Sequence, residues 1–217
     1  MGKLHEVEMN MRRTVFRLSL VCLCVMNLLG CGTSQPSHFY LLQALPPDST
    51  SDISERKSSS LSLGLGPLTL PHYLNRPKIV TQTGVHEVEL AQFHKWAEPL
   101  SENMSNVMAE NLSALLSTDR VVQFPWRRSV SIDYQLVMNV IQCDGMKNEE
   151  VILKVRWTLI REDGETLLEY KTSHITEPVA GPDYEDFVQA MSRALASFSQ
   201  EIAEAIKAQG PPRKKNL

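Results

Sequence analysis

Two short stretches contain residue types that could carry chemistry, and each lacks part of the pattern that its chemistry needs. His86–Leu90 begins like the H-E-x-x-H motif of zinc proteases, but Leu90 stands where the second histidine ligand belongs. Gly64–Gly66 is followed by Pro67 and a strand-like run, so it cannot present a helix N-terminus to a phosphate. No G-x-S-x-G nucleophile motif occurs, and the histidines and cysteines are not at metal-binding spacing. We therefore predict that the protein is not an enzyme and uses no metal or cofactor.

Cys31 is the residue with the most specific chemistry. Together with Leu28, Leu29 and Gly30 it resembles the bacterial lipobox, in which the cysteine thiol is the nucleophile that accepts a diacylglycerol. The motif predicts that Cys31 becomes the lipidated N-terminus, held by enough acyl chains for stable anchoring. By the same resemblance, Gly32 favours the periplasmic face of the outer membrane of a Gram-negative cell. The alternative is ordinary cleavage that leaves Cys31 as a bystander.

The residues before Cys31 are typical of an export signal. Arg12, Arg13 and Arg17 precede an apolar run, LSLVCLCVMNLL, that is twelve residues long. Such a run is too short to span a bilayer as a helix, but it has the length of the hydrophobic part of a signal peptide. We therefore predict a lipoprotein signal peptide over residues 1–30.

Charge limits the classes of partner, and cysteine content limits disulfide bonding. Removing residues 1–30 leaves 18 basic and 23 acidic residues, which gives the mature chain a net charge of −5. This balance argues against nucleic acid as a partner, because nucleic-acid binding requires a basic surface. After Cys31 the chain contains only Cys143, so no disulfide is expected within the mature domain.

Composition divides the mature chain into three parts. Residues 31–60 are predicted to be a lipid-anchored N-terminal segment, with a strand-like run HFYLL followed by a flexible loop rich in Ser and Pro. Residues 61–207 have the length of one domain. Residues 208–217 form a basic C-terminal tail.

Hydrophobic periodicity predicts two helices and several strands in the domain. Apolar residues recur at three- and four-residue spacing after Pro99 and again after Asp183, which is placed to cap the second helix. Alternating apolar and polar residues over 132–140 and 151–159 predict strands, and a turn signal at Asp163–Gly164 leads to another. We predict an α+β fold in which an antiparallel β-sheet meander has two amphipathic helices packed on one face.

Three loops contain more apolar and aromatic residues than turns normally carry. The stretch PHYLNRP, residues 71 to 77, separates two strand-like runs, while FHKW ends at Trp96 and FPW ends at Trp126. Exposed aromatic residues and arginines are the types enriched at binding hot spots. Each loop has the alternative of packing back onto its own domain.

We hypothesise that these loops contact a partner. Tyr73 and Leu74 would fill an apolar pocket on a partner or on a neighbouring copy, and Arg76 would hydrogen-bond across the interface. The two flanking prolines would reduce the entropy lost on docking. The predicted partner-binding residues are Pro71, Tyr73, Leu74, Arg76, Pro77, Trp96 and Trp126.

The sequence from Leu65 to Thr81, LGPLTLPHYLNRPKIVT, closely resembles a motif of the PqiC-type lipoproteins, which are the ABC-type transport auxiliary lipoproteins of Gram-negative bacteria. Phe93 with WAEPL from Trp96, then AENL from Ala109 and FPW from Phe124, match the family in order and spacing. The resemblance covers essentially the whole mature chain.

This resemblance implies the outer-membrane part of a transenvelope lipid-transport system that maintains membrane integrity. The implied partners are an MCE-domain protein that spans the periplasm and an integral inner-membrane transporter subunit, with self-association into a homo-oligomer as a further expectation. The implied cargo is phospholipid or another lipophilic molecule. The alternative function is a monomeric periplasmic lipid-binding carrier with a cavity between sheet and helices.

Overall fold

The computed structural model describes residues 11–13, 15–19, 35–46, 59–127, 129–161 and 166–210. Contacts divide the chain into two units, residues 1–36 and residues 37–217. In the first unit, residues 11–13 and 15–19 are helical. Among all described residues, no helix is both long and apolar enough to cross a membrane. Cys31, the Asp163–Gly164 turn, most of the predicted flexible loop and residues 211–217 of the predicted tail lie outside the described residues.

The described residues of the second unit form strands and helices in a mixed order. In chain order these are β1 (His38–Tyr40), β2 (Leu63–Thr69), β3 (Lys78–Gly84), β4 (Glu87–Trp96), α1 (Leu100–Leu116), β5 (Val121–Gln123), β6 (Tyr134–Gly145), β7 (Glu150–Arg161), β8 (Leu167–Pro178) and α2 (Tyr184–Ala208).

The strands form two sheets. The larger sheet has the order β5-β2-β6-β7-β8, and the smaller sheet has the order β1-β4-β3. Strands β6, β7 and β8 pair antiparallel as a meander, whereas β2 pairs parallel with both β5 and β6. The predicted α+β class is confirmed, and the meander forms one side of the larger sheet up to its edge strand β8. The sequence analysis did not predict the parallel pairs or the second sheet. Parallel neighbouring strands require long crossover connections, such as the one that contains α1.

Both helices cover the larger sheet. Helix α1 contacts β2 and β5, helix α2 contacts β7 and β8, and the two helices contact each other. Alternate residues of β6 and β7 are buried, as expected of strands in a sheet that is covered on one face. The largest fully buried side chains include Trp157, Tyr134, Phe187, Phe198, Met104, Met108 and Met138.

The helices begin where the periodicity predicts, immediately after Pro99 and Asp183. The predicted side-chain cap at Asp183 is not formed, because its carboxylate makes no capping hydrogen bond. Its backbone carbonyl instead accepts from the Phe187 N–H at 3.2 Å.

Residues 41–46, which we call the strap, follow β1 and are bound to both helices. Its backbone N–H groups donate to two side chains of α1 and one of α2: Leu42 to Asn103 Oδ1 at 2.7 Å, Leu45 to Asn111 Oδ1 at 2.8 Å, and Gln43 to Ser192 Oγ at 3.1 Å. Asn103 and Asn111 are buried, as is the Leu42 side chain. Residues 37–46, which the sequence assigned to the anchor segment, thus belong to the folded unit.

Candidate functional site

The loop from Pro71 to Pro77 joins β2 to β3 and folds back on itself. The N–H groups of Leu74 and Asn75 donate to the Pro71 carbonyl at 3.0 and 3.3 Å, and the Arg76 N–H donates to the Leu74 carbonyl at 2.8 Å. These bonds turn the Leu74 side chain into the core, where it is buried. Arg76 and Pro77 are left exposed.

Tyr73 is held by its own domain as well. Its hydroxyl donates to Asp144 Oδ2 at 2.5 Å, and Asp144 Oδ1 accepts from the side-chain amides of Gln82 and Gln142 at 2.9 Å each. Burial, together with the hydrogen bond to Asp144, raises the pKa of the Tyr73 hydroxyl. Tyr73 and Leu74 therefore pack onto their own domain, which is the alternative given above for this loop. The Tyr73 hydroxyl is bonded to Asp144, and the Leu74 side chain is buried.

Arg76, Pro77 and Trp96 are brought together. With Asn75 and Ala97–Pro99 they line an open groove of about 290 Å³, which we call the Arg76 groove. Trp96 is the last residue of β4 rather than a loop residue, and its side chain is buried. The backbone N–H of Trp96 donates to the Pro77 carbonyl at 2.8 Å, which fixes the end of the Pro71–Pro77 loop against the end of β4.

Trp126 lies in a different place, over the backbone of β2. A Cβ atom at Gly64 would stand 2.9 Å from the Trp126 ring and 2.8 Å from Ile132, so only glycine leaves room for the indole. Phe124 meets the Trp126 ring edge-on, with centroids 5.6 Å apart, and remains 53% exposed. Gly64 therefore leaves room for the Trp126 ring to pack on β2, and Phe124 is the outward-facing aromatic residue of the FPW segment.

Phe124 borders a second open groove of about 460 Å³, which we call the Phe124 groove. Its other walls are residues 65–68 of β2, Gln123, and the first turns of α1 with Ser101, Glu102, Ser105 and Asn106. Gly66 in this wall has φ +113°, a conformation that favours glycine. Since Pro99 lines the Arg76 groove, both grooves border the N-terminal end of α1.

An aromatic and histidine cluster joins β1, β4 and the start of α2. The His94 ring stacks on His38 and on Tyr184, with centroids 5.1 and 4.0 Å away, and its Nδ1 hydrogen-bonds with the Tyr40 hydroxyl at 2.7 Å. Lys147 Nζ lies 4.5 Å from the Tyr184 ring centroid. Burial, followed by the charges of His38 and Lys147, lowers the pKa of His94. Within the described residues, no group of three or more His, Cys, Asp or Glu side chains is arranged to hold a metal.

The sequence analysis missed Asn103, Asn111, Asp144 and His94. Asn103 and Asn111 interrupt the buried apolar stripe of α1, and that interruption is a signal that a buried polar partner is needed. Asp144 follows the point where the alternation of β6 stops, since Cys143, Asp144 and Gly145 are buried in succession. His94 has no such local signal, because its partners come from other elements.

Two solved structures share the fold. A crystal structure of an uncharacterized protein superposes with a TM-score of 0.64 at 21% identity, over 79% of this chain and 99% of that chain. A crystal structure of a protein from Xanthomonas campestris superposes with a TM-score of 0.60 at 14% identity, over 79% of this chain and 97% of that chain.

Sequence comparison extends the likeness to named relatives. The chain is 25% identical over 189 residues to the intermembrane transport lipoprotein PqiC of Escherichia coli strain K12 and to that of Shigella flexneri, over 87% of this chain and 96% of each relative. The sequence model of the ABC-type transport auxiliary lipoprotein component matches residues 40–203, which run from the end of β1 into α2. The chain therefore belongs to the family of ABC-type transport auxiliary lipoprotein components, a family of transport components and not of enzymes.

Proposed function

We propose that this protein is the outer-membrane lipoprotein component of an MCE-type transenvelope lipid transport system and acts there as a docking module. The family supports a transport auxiliary lipoprotein, and two relatives are named intermembrane transport lipoproteins. Cys31 is the proposed lipid attachment site. The proposed partners are an MCE-domain protein that spans the periplasm and an integral inner-membrane transporter subunit, with phospholipid as the cargo of the system.

Among the described residues, the buried core side chains and the open grooves support docking rather than carrying lipid. Large side chains between the larger sheet and its helices are fully buried, among them Trp157, Phe187 and Phe198. The two grooves are open and lie at the surface. A carrier needs an enclosed apolar site that covers most of its ligand, whereas a docking module needs accessible concave surface.

The two grooves also supply suitable chemistry for a protein partner. Arg76 is exposed at one groove, and Phe124 is exposed at the other beside Pro125. Arginine forms bidentate hydrogen bonds with carboxylates, and an aromatic anchor contributes large apolar area at a hot spot. Trp96 is buried and lines the Arg76 groove, and the half-buried Trp126 packs edge-on against Phe124.

Co-purification with the MCE-domain partner tests the proposal. Membranes containing both full-length proteins are solubilised in detergent, and the partner retained by the lipoprotein is quantified for wild type, Arg76→Ala and Phe124→Ala. Because each side chain is solvent-exposed, we expect retention to fall about tenfold, equivalent to about 1.4 kcal/mol, without loss of folding.

Tyr170→Ala is the matched control, because Tyr170 on β8 is 62% exposed, close to the 53% of Phe124. Equal retention by both groove variants and this control would contradict docking at the grooves. Stoichiometric lipid extracted from the purified wild-type protein would favour the carrier function instead. The anchor is tested separately by Cys31→Ala, which should lose its acyl chains and leave the outer-membrane fraction.

A further inference from the structure

The hairpin between β3 and β4 carries an exposed apolar tip. All six residues from Val85 to Leu90 are exposed. Three of them are branched aliphatic residues, with Val85 86%, Val88 46% and Leu90 39% exposed. Single exposed apolar residues are common, but a group within six residues of one hairpin is typical of a contact surface.

The apolar and acidic side chains of the hairpin are on different faces of β4. Successive strand residues point to opposite faces, so Val88 and Leu90 share one face while Glu87 and Glu89 share the other. The exposed start of β4 is therefore amphipathic. Such an element suits the boundary between water and lipid, where apolar groups enter the acyl region and charged groups stay hydrated.

The direction of β1 relates this hairpin to the lipid anchor. Strand β1 runs parallel to β4, with His38 opposite His94 and Tyr40 opposite Trp96. Strand β4 begins at Glu87, directly after the hairpin turn. Because the two strands run the same way, the chain enters β1 from the side on which the hairpin tip lies.

The chain between the anchor and β1 is short. Seven residues lead from Cys31 to His38, and they span at most about 25 Å even when fully extended. Seven residues also lead from Glu87 to His94 along β4. A bilayer that holds Cys31 therefore comes within reach of the hairpin tip.

We propose that the hairpin tip, Val85 to Leu90, is a second and reversible contact with the membrane that holds Cys31. This inference rests on the proposed lipid attachment. Val85, Val88 and Leu90 enter the outer part of the acyl layer, and the two carboxylates stay among the headgroups. Two points of contact restrict rotation of the domain about its tether, which keeps the grooves in one orientation towards the partner.

Site-specific fluorescence quenching tests the contact. Full-length acylated protein carrying Val85→Cys is labelled with an environment-sensitive fluorophore and bound to vesicles of phosphatidylcholine and phosphatidylethanolamine that contain brominated acyl chains. Labelling is selective because Cys31 is acylated and Cys143 is buried. The control is Gln189→Cys on the exposed face of α2. We expect bromolipid to quench the probe at position 85 at least about twofold more than the probe at position 189, since an interfacial contact buries side chains about 5–10 Å deep.

Two outcomes separate the hairpin contact from the anchor. If the protein floats with the vesicles and both probes are quenched equally, the anchor stands and the hairpin contact is overturned. If the protein does not float, the lipid attachment fails and the hairpin contact fails with it. Adding Val88→Asp to the position-85 protein should abolish the excess quenching without preventing flotation, because a carboxylate on the apolar face opposes entry into the acyl layer.

Discussion

The hydroxyl of Tyr73 donates a hydrogen bond of 2.5 Å to the buried carboxylate of Asp144, which joins the β2–β3 loop to β6. Gln82 and Gln142 bind the other oxygen of the same carboxylate. The centre of the loop is thereby attached to its own domain, and its outward-facing part is Arg76 with Pro77. Contact with a partner is expected from this second half of the loop.

Tyr73→Phe should lower the free energy of unfolding by about 1–3 kcal/mol, because it removes one hydrogen bond from a buried charged acceptor. Urea denaturation of the full chain measures this difference. Tyr170→Phe is the control, since Tyr170 is exposed and loss of its hydroxyl should stay within about 0.5 kcal/mol. Equal effects of the two variants would mean that the Asp144 bond contributes nothing specific.

Asn111→Ala should release the strap. The Asn111 side chain accepts a hydrogen bond from the Leu45 N–H and donates one to Ser199 Oγ at 3.1 Å. In the variant, the Leu45 N–H and the Ser199 hydroxyl would each lose this partner. We expect a loss of about 1–3 kcal/mol in unfolding free energy and faster amide exchange at Leu45. Hydrogen exchange followed by mass spectrometry measures the second effect. Asn106→Ala, exposed on the same helix, should leave exchange at Leu45 unchanged.

Gly64→Ala should displace Trp126. The added methyl group would stand 2.9 Å from the indole and 2.8 Å from Ile132, which is too close without movement. The expected cost is about 1–3 kcal/mol, accompanied by a change in tryptophan emission. Gly84→Ala is a matched control, because nothing lies within 4 Å of its added Cβ. An unchanged emission spectrum for Gly64→Ala would show that Trp126 does not lie on Gly64.

The stability of the fold should fall in mild acid because of His94. Burial, then the charges of His38 and Lys147, lowers its pKa, while Asp183 acts in the opposite direction. The unfolded state therefore binds a proton first as the pH falls below about 6.5, and stability is lost from there down to the lowered pKa of the folded state.

Urea denaturation at a series of pH values from 8 to 5 measures this loss. His94→Gln should flatten the profile, whereas His174→Gln on exposed β8 should keep the wild-type slope. A His94→Gln profile identical to wild type would assign the acid sensitivity to other groups.

Cys143 should be unreactive in the folded protein. It is buried, and burial raises the pKa of its thiol to about 12, so almost no thiolate forms at pH 8. Iodoacetamide should therefore modify Cys143 at least about a hundredfold faster in denaturing urea than in buffer. Rapid modification in buffer would mean that this end of β6 opens readily.

Local patterns were sufficient for the helices and the meander. The spacing of apolar residues after Pro99 and Asp183 reports burial along one helix face, and the alternation in β6 and β7 reports burial along one sheet face. These periods depend only on the geometry of one element, so the α+β class could be predicted from them and is confirmed. Membership of the transport auxiliary family was indicated by a different signal, the resemblance of motifs such as Leu65–Thr81, and is confirmed as well.

The sequence alone did not determine which aromatic and apolar residues of the loops face outward. Leu74, Trp96 and Phe124 lie in similar short apolar stretches, but Leu74 and Trp96 are buried and Phe124 is exposed. Their environments depend on distant residues: Asp144 lies 71 positions from Tyr73, and β2 pairs with strands far along the chain. Only the tertiary structure decided these exposures, because local periodicity carries no record of contacts between segments that meet only after folding.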